Sequence, residues 1–327
     1  MGLAFDQHVA AVHKAVAAPS AAAQSRLMAS WQRSIGVHKL DPGRQHRPYR
    51  LTAAELRNRC AADAAMIRAA APILDHLFKA LRLSGCALFL ADRGGCVLDL
   101  RAELGDQADL SACNLVPGAD WSEAAEGTNG IGTCATDGRA ITVEQGAHFS
   151  ARNIRMTCIG APIFGPQGEL AGVLDASSAR QDHAACLNGL IAETVTQAAR
   201  SIEAELFREA HPTARIVMLE GWVLGASGLM AVDQDDVVIG ATHAARKSLG
   251  LRADTVFSPI PAADLLGRTD SHAGFDRAEY AAMKRALLRA NGNVSAAARA
   301  LGIGRATLYR RMGRTGLIGA DLAVRPE

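Results

Sequence analysis

The sequence predicts a multidomain α+β protein whose last segment is a small all-α unit. The chain has 327 residues, 49% of them hydrophobic, which is enough for two or three separate cores. Between Cys86 and Ser177, two stretches alternate apolar and polar residues around a glycine-containing turn, as antiparallel strands do. Apolar residues recur at helical spacing before this region and again after Phe275. We therefore expect helices packed around a sheet, followed by a helical unit.

The charges of the chain are unevenly distributed. The formal net charge is +2, but residues 275–318 hold nine lysines and arginines against two acids, a local net charge of +7 that leaves −5 elsewhere. Such a concentration of cations favours phosphate binding, because each contact releases counterions from nucleic acid. A merely solvated basic tail is the alternative. The nine cations are Arg277, Lys284, Arg285, Arg289, Arg299, Arg305, Arg310, Arg311 and Arg314.

Neither a targeting segment nor a metal centre is indicated by the residue pattern. The N-terminus lacks the charged and then apolar pattern of a signal peptide, and no run of about 18 apolar residues occurs. We expect a cytoplasmic protein. Seven cysteines without a CxxC spacing predict reduced, mostly packed thiols. A metal or redox role for Cys134 together with Cys158 stays open; otherwise no catalytic residue, metal or cofactor is expected.

Residues 1–80 predict an N-terminal helical region. They are rich in alanine, and apolar residues recur at helical spacing. The stretch from Asp41 to Pro48, DPGRQHRP, contains two prolines and a glycine, which interrupt a helix. Trp31 is expected to anchor the region by packing. The apolar positions are Leu56, Ile67, Leu74, Leu77 and Leu81.

Residues 81–210 predict an α+β domain of the sensor type. CALFLADRGGCVLDLRA, from Cys86, reads as a strand, an Asp-Arg-Gly-Gly turn and a second strand. CIGAPIFGPQGELAGVLDASS, from Cys158, predicts a second hairpin around Gly165 to Gly168. The stretch 184–209 has the apolar spacing of a long helix. Two hairpins flanked by helices define the predicted domain.

A glycine-rich loop lies between the hairpins. Gly127, Gly130 and Gly132 fall within six residues, and Thr128 and Asn129 could cap a helix that begins near Ile131. The loop lacks the Gly-Lys-Ser/Thr ending of a phosphate-binding loop. The glycines could serve only a tight turn. Alternatively the loop forms a wall of a small-molecule pocket, because binding residues collect on such turns.

These residues carry a resemblance to a known family. WSEAAEGTNGIGTC, EQGAHFS, MTCIGAPIF and GELAGVLD resemble the GAF sensor domain of regulators in the acetoin catabolism family. The upstream SWQRS and TAAEL segments are also similar, so the resemblance covers about residues 30–205. It implies a GAF fold that holds a small effector between the loop and the segment 144–149. The implied pocket residues are Trp121, Glu126, Asn129, Thr133, Cys134, Glu144 and Phe149.

Residues 211–255 predict a small α/β module. A strand, an acidic turn at Gln234 to Asp236, a second strand and a helix beginning near His243 follow one another. The order is similar to a shortened PAS module. Because the segment is short, we expect a spacer or dimer contact rather than a sensor, and we expect His243 to be a surface or capping residue. Residues 256–274, with weak periodicity, predict a linker.

Residues 275–327 predict a helix–turn–helix unit. The helix 276–290 has one apolar face, formed by Tyr280, Met283 and Leu287, and Asn291 to Asn293 form a left-handed turn. Ser295 is expected to cap the next helix, and Gly302 to Gly304 form the second turn. In the last helix, 305–312, Leu308 and Met312 lie on the inner side.

The outer side of the last helix predicts DNA contact. Arg305, Thr307, Tyr309 and Arg310 face solvent there, and arginine suits guanine edges, whereas Arg311 and Arg314 suit phosphates. A structural three-helix cap is the alternative. AAARALGIGRATLYRRM resembles the Fis-family helix–turn–helix, with Gly304 as a departure. The resemblance implies a dimer, major-groove contacts by Arg305, Thr307 and Arg310, and backbone contacts by Asn293 and Ser295.

Together these features predict an effector-responsive DNA-binding regulator of genes for the catabolism of small alcohols, ketones or acetoin-like compounds. The expected partners are double-stranded DNA, a small-molecule effector, a second copy of the chain, and RNA polymerase or a longer homologous activator. Members of the acetoin catabolism family carry an AAA+ ATPase, but the sequence has no GxxxxGK[ST] motif and no GAFTGA loop, so we expect no ATPase activity. Two alternatives are a GAF-fold methionine sulfoxide reductase using Cys134 and Cys158, and a heterodimer module that modulates a full-length activator without binding DNA itself.

Overall fold

A computed structural model describes residues 2–17, 25–44, 49–180, 184–219, 228–251, 257–265 and 274–317. The chain forms two compact units, Met1–Ile260 and Pro261–Glu327. None of the helices in the described ranges has the length and apolar composition of a membrane-spanning segment.

Within the described residues, four α-helices precede the first sheet, as the alanine-rich sequence predicts. They are α1 (Gly2–Val16), α2 (Arg26–Gly36), α3 (Ala53–Ala62) and α4 (Ala64–Leu81). A capping box begins α3: the Thr52 hydroxyl accepts from the Glu55 amide at 3.3 Å, and the Glu55 carboxylate accepts from the Thr52 amide at 2.8 Å. Trp31 is buried against α1, which confirms its predicted packing role.

The central sheet has five antiparallel strands in the order β2-β1-β5-β4-β3. The two predicted hairpins are confirmed as β1 (Ala87–Asp92) with β2 (Val97–Arg101), and β4 (Thr157–Phe164) with β5 (Leu170–Ser178). Strand β3 is Ile141–Glu144. Short helices α5 (Gln107–Ala112), α6 (Glu123–Glu126) and α7 (Gly130–Asp137) lie between the hairpins, and α8 (Asn188–Ala210) follows them.

Both faces of the sheet are covered, because successive side chains of a strand point to opposite faces. Leu88 and Leu90 of β1 belong to the core that α4 and α8 complete with Leu74 and Val195. Phe89 belongs to the opposite core. That second core lies under the loop segments between the hairpins, and it also contains Trp121, Ile131, Cys134, Met156 and Cys158.

A second sheet follows α8, in the order β6-β7-β8-β9. The predicted strand, acidic turn, strand and helix are confirmed as β7 (Gly228–Val232), β8 (Val237–Ala241) and α9 (His243–Ser248), although the residues just before β7 lie outside the described ranges. Strand β6 (Arg215–Leu219) was not predicted; it is half-exposed and pairs with β7. Part of the predicted linker forms a short strand, β9 (Ile260–Pro261), and one turn of helix, α10 (Ala262–Leu265).

The second unit contains the predicted three helices, α11 (Gly274–Arg289), α12 (Val294–Ala300) and α13 (Arg305–Arg314). Met283, Leu287, Leu308 and Met312 are buried together, as their spacing predicts. Asn291 and Gly292 have φ angles of 51° and 83°, which confirms the left-handed turn.

The predicted N-terminal cap of helix α12, Ser295, is wrong. Asn293, and not Ser295, caps α12, because its side-chain oxygen accepts from the Ala296 amide at 2.9 Å. Helix α12 therefore begins earlier than predicted, and Ser295 lies within its first turn. The last helix, α13, extends two residues beyond its predicted end at Met312.

Candidate functional site

The glycine-rich loop is tied together by Asn129. Its side-chain oxygen accepts from the Gly132 amide at 2.8 Å and caps α7, which confirms the predicted capping role. Its amide nitrogen donates to the carbonyls of Trp121, at 3.1 Å, and of Gly127, at 2.8 Å. The fully buried Asn129 side chain thus joins the start of the loop to the start of the helix.

The loop glycines allow close packing. A Cβ atom at Gly132 would lie 2.3 Å from the Glu123 nitrogen, and one at Gly130 would lie 2.3 Å from Oδ1 of Asp175. Gly127 has a φ of +69°, and its Cβ would lie 2.4 Å from Cδ1 of Phe149. Each contact is far shorter than a van der Waals separation. The absence of a side chain at these three positions therefore allows α6, α7 and the Phe149 segment to pack in contact.

Helix α2 is fastened to this loop through Glu123. The carboxylate is almost fully buried and accepts from Nε of Arg33 at 2.6 Å, from Nη2 of Arg33 at 2.9 Å and from the Ser30 hydroxyl at 2.6 Å. The hydrogen bond to Glu123 is the main cause of the raised pKa of Arg33. Sequence reasoning missed this cluster, because the residues lie about 90 positions apart and no local pattern connects them.

A cavity of about 490 Å³ opens beside the loop, a size typical of small-molecule sites. Two of the seven residues implied by the family resemblance, Glu126 and Phe149, line it. Glu126 is held by two 2.6 Å hydrogen bonds from Nη2 of Arg152 and one of 3.3 Å from Asn153. The complete lining is Leu40, Asp41, Arg44, Tyr49, Asp120, Ala124, Ala125, Glu126, Phe149 and Ser150.

The structure does not bring the other five residues to this cavity. Trp121 is fully buried in the core, and its Nε1 donates to the Asn114 carbonyl at 2.9 Å. Asn129, Thr133 and Cys134 are also fully buried. Glu144 is exposed at the end of β3 and accepts from Asn188 at 2.8 Å.

Cys158 is paired with an imidazole that sequence reasoning missed. Nδ1 of His148 donates to the Gln145 carbonyl at 3.0 Å, which leaves Nε2, 3.2 Å from the Cys158 sulfur, as an acceptor for the thiol proton. Burial lowers the pKa of His148 to about 4 and raises the pKa values of Cys158 and Cys134. Both shifts oppose a thiolate–imidazolium pair, so burial at this site does not favour nucleophilic chemistry.

Asp175 is an isolated buried carboxyl group in the centre of β5. Burial raises its pKa to about 7, and the hydroxyl of Ser177 donates to its Oδ2. Its Oδ1 has no hydrogen-bond partner among the described residues. Within those same residues, His, Cys, Asp and Glu side chains form no cluster of three or more that could hold a metal ion.

The second unit presents an exposed, cationic helix face. Arg305, Tyr309, Arg310 and Arg311 are exposed on α13, and Thr307 is half-buried. The Arg305 guanidinium lies 5.8 Å from the centre of the Tyr309 ring. Asn293 and Ser295, the implied backbone contacts, are half-buried at the start of α12.

The acids of this unit neutralise the C-terminal end of α13. Glu279 accepts from Nη1 of Arg311 at 2.8 Å and also pairs with Arg314, which lies 3.4 Å from Asp276. The exposed side chains of Arg305 and Arg310 add further positive charge to α13.

Comparison with known families identifies two domains. Residues 65–206 match the GAF domain, and residues 275–314 match the family described as bacterial regulatory protein, Fis family. A chain from the crystal structure of the Escherichia coli DhaR(N)–DhaL complex superposes with a TM-score of 0.52 and 18% identity, and the match covers 70% of this chain and 78% of that chain. At that identity the likeness concerns the fold alone.

Curated relatives are regulators of catabolic operons. The acetoin catabolism regulatory protein of Cupriavidus necator is 31% identical over 258 residues, which are 78% of this chain and 38% of that protein. The acetoin dehydrogenase operon transcriptional activator AcoR of Bacillus subtilis is 30% identical over 47% of this chain and 25% of its own length. The propane 2-monooxygenase operon transcriptional activator MimR of Mycolicibacterium smegmatis is 32% identical over 48% of this chain and 26% of its own length. The chain thus spans less than two fifths of the length of each of these relatives.

Proposed function

Because the chain joins a GAF domain to a Fis-family helix–turn–helix, we propose that it is an effector-responsive, sequence-specific DNA-binding transcriptional regulator. The observation that carries the proposal is the exposed face of α13, where Arg305 and Arg310 lie on a helix supported by a packed three-helix core. In this arrangement Arg305, Thr307 and Arg310 reach base edges in the major groove.

Other cations and polar groups of the unit position it on the DNA backbone. Asn293 and Ser295 at the start of α12 face phosphates, as does Arg311 at the far end of α13. Tyr309 packs beside Arg305 and limits its conformations. A second copy of the chain supplies the second half-site contact, which the Fis-type architecture requires for a two-fold operator.

The proposed effector site is the wall formed by the glycine-rich loop and the Phe149 segment. The 490 Å³ cavity offers Glu126, Asp41, Asp120 and the Ser150 hydroxyl as hydrogen-bonding groups for a small hydroxyl- or carbonyl-bearing molecule. Of the other implied residues, Trp121, Asn129, Thr133 and Cys134 lie in the core, and Glu144 lies at the end of β3. The names of the relatives, regulators of acetoin and propane oxidation operons, favour small alcohols, ketones or acetoin-like compounds as effectors.

The proposed regulator acts without ATP hydrolysis of its own. The sequence between the GAF domain and the helix–turn–helix contains no GxxxxGK[ST] motif, which supplies the phosphate-binding lysine in such ATPases. It therefore recruits or blocks RNA polymerase, or modulates a longer homologous activator. Measured ATP turnover by the purified chain at the rate of an ATPase would contradict this part of the proposal.

A mobility-shift titration on DNA from upstream of the gene tests DNA binding. We expect salt-dependent binding by the full chain. Arg305→Ala and Arg310→Ala should each weaken specific binding by at least about fivefold, because a bidentate contact of arginine with a base contributes about 1–3 kcal/mol. Arg208→Ala is the matched control, since Arg208 is an exposed arginine of α8 in the first unit. Binding that is insensitive to salt and equal in all three variants would reject the proposal.

A further inference from the structure

A second, larger cavity lies within the first unit, between the GAF domain and the module formed by β7, β8 and α9. Its volume is about 690 Å³. One wall comes from the segment after α7, from β4 and from α8, and the other from Leu229 of β7, from Thr242 and from α9. None of the residues implied as effector contacts lines it. The cavity is therefore separate from the proposed effector site.

The walls of this cavity are fixed to each other by an aromatic stack. The ring of His243 lies parallel to that of Phe164, with centroids 3.7 Å apart and an interplanar angle of 8°. Nδ1 of His243 donates to the Gly168 carbonyl at 3.1 Å. His243 was expected to be a surface or capping residue. It is partly buried and joins β4 to α9, whereas Thr242 caps α9.

The lining combines cationic groups with an apolar floor. Arg139, Arg200 and Lys247 contribute positive charge, and Glu203 is the one acid among the lining residues. Pro162, Phe164, Ala204 and Leu229 supply apolar surface.

The carboxylate of Glu203, the one acid in the lining, already accepts a hydrogen bond from the protein backbone. Glu203 accepts from the Phe164 amide at 2.9 Å. Burial raises the pKa of Glu203 to about 7, against the opposing effects of that hydrogen bond and of Arg200. Near neutral pH part of the Glu203 population is protonated, so the positive charge of the three lining cations exceeds the negative charge of Glu203. The cavity as a whole favours an anion.

We propose that this cavity binds a small organic anion, with its carboxylate beside Arg139, Arg200 and Lys247 and its apolar body against Phe164 and Leu229. Guanidinium groups recognise carboxylates through paired hydrogen bonds, and a partly desolvated setting strengthens such contacts. The volume suits a ligand of the size of an aromatic or short branched acid. Because the ligand contacts both walls, its binding stabilises the packing of the module on the GAF domain. The site goes beyond the proposed function, since it does not depend on DNA binding.

The test uses ¹⁹F NMR titration of the full chain with 4-fluorobenzoate, and with 4-fluorobenzyl alcohol as a neutral probe of similar shape. We expect the carboxylate to bind at least about tenfold more tightly than the alcohol. Arg200→Gln and Lys247→Gln should each weaken 4-fluorobenzoate binding by about three- to tenfold. Lys247 is exposed on α9, so its variant keeps the test valid even where the Arg200 variant disturbs α8.

Two control variants test whether 4-fluorobenzoate binds in this cavity and not elsewhere on the protein. Arg208→Gln removes an exposed arginine two turns along α8, outside the lining, and Arg44→Gln removes the arginine of the 490 Å³ cavity. Both should leave 4-fluorobenzoate binding unchanged. Equal affinity for the two probes, no binding of 4-fluorobenzoate, or loss of binding in Arg44→Gln but not in Lys247→Gln would overturn the proposal.

Discussion

The guanidinium of Arg33 donates from Nε to Oε1 of Glu123 at 2.6 Å, and the carboxylate it reaches is only 1% exposed. The contact joins helix α2 of the N-terminal region to the helix that opens the glycine-rich loop. Ser30, one turn earlier, donates to the other oxygen of the same carboxylate at 2.6 Å. The N-terminal region is thus part of the loop's support, and a disturbance of either segment reaches the other.

Replacing Arg33 tests this support. Arg33→Ala leaves a buried carboxylate without its cation, and we expect the free energy of unfolding to fall by about 2–3 kcal/mol, less than for a fully buried pair because Arg33 is 31% exposed. Arg26→Ala, in the same helix, removes a 3.2 Å contact to Asp137 from an arginine that is 42% exposed, and it should cost less than about 1 kcal/mol. Urea denaturation measures both losses. Equal losses would show that the Arg33 contact does not fasten the loop.

Gly132→Ala tests the close packing of α7 on α6. The added Cβ would lie 2.3 Å from the Glu123 nitrogen and 2.6 Å from the Ser122 carbonyl carbon, which are backbone atoms that do not move freely. We expect a loss of stability of about 1–3 kcal/mol and a shift of the loop. Gly146→Ala is the control, because a Cβ there meets nothing within 4 Å. Thermal unfolding compares the two, and a harmless Gly132→Ala would contradict the packing argument.

Asp175→Asn should stabilise the protein at alkaline pH. Burial raises the pKa of Asp175 in the folded state from 3.8 to about 7, so the folded state binds more protons than the unfolded state between these values. The contribution of Asp175 to stability is therefore full below about pH 4 and is lost as pH rises through about 7. A shift of about three units corresponds to at most about 4 kcal/mol. The melting temperature of Asp175→Asn should exceed that of the wild type by more at about pH 8 than at about pH 5. A parallel pH dependence in both proteins would show that Asp175 does not titrate in this range.

Glu279→Gln should strengthen non-specific DNA binding. Glu279 pairs with both Arg311 and Arg314, so its replacement removes a negative charge that competes with phosphates for these two arginines. We expect affinity for unrelated duplex DNA to rise about threefold or more and the salt dependence to steepen. Asp276→Asn is the milder comparison, because its 3.4 Å contact to Arg314 is well exposed. Fluorescence anisotropy at several salt concentrations gives both quantities. Lower affinity in Glu279→Gln, with the unit still folded, would show that the ion pairs order the binding surface instead.

Ala124→Phe should block the proposed effector site. Ala124 is exposed and lines the 490 Å³ cavity, so a phenyl group can fill space there at little cost to folding. We expect the response of DNA binding to an active effector to fall at least about tenfold, while DNA binding without effector stays as in the wild type. Ala53→Phe, at an exposed alanine in α3 outside the cavity lining, is the control. An unchanged response in Ala124→Phe would show that the effector does not bind in the 490 Å³ cavity.

Local sequence signals predicted much of the fold and part of the site. Both hairpins, the cap at Asn129, the left-handed turn at Asn291 and the buried pair Leu308 and Met312 were confirmed. Each depends on residues a few positions apart, through alternation, helical spacing or turn chemistry. The cap at Ser295 failed because Asn293, two residues earlier, offers an equally suitable side chain, and pattern alone does not choose between them.

The sequence by itself determined the GAF-like and helix–turn–helix segments, the hairpin pairing and the basic last helix, because these follow from neighbouring residues and from composition. The tertiary structure alone decided that Arg33 reaches Glu123, that Trp121 lies in the core while Glu126 faces a cavity, and that His243 stacks on Phe164. Those contacts join residues about 80 to 90 positions apart, or depend on which side of a loop faces the core. They are set by how complete elements pack, and a local pattern carries no information about that packing.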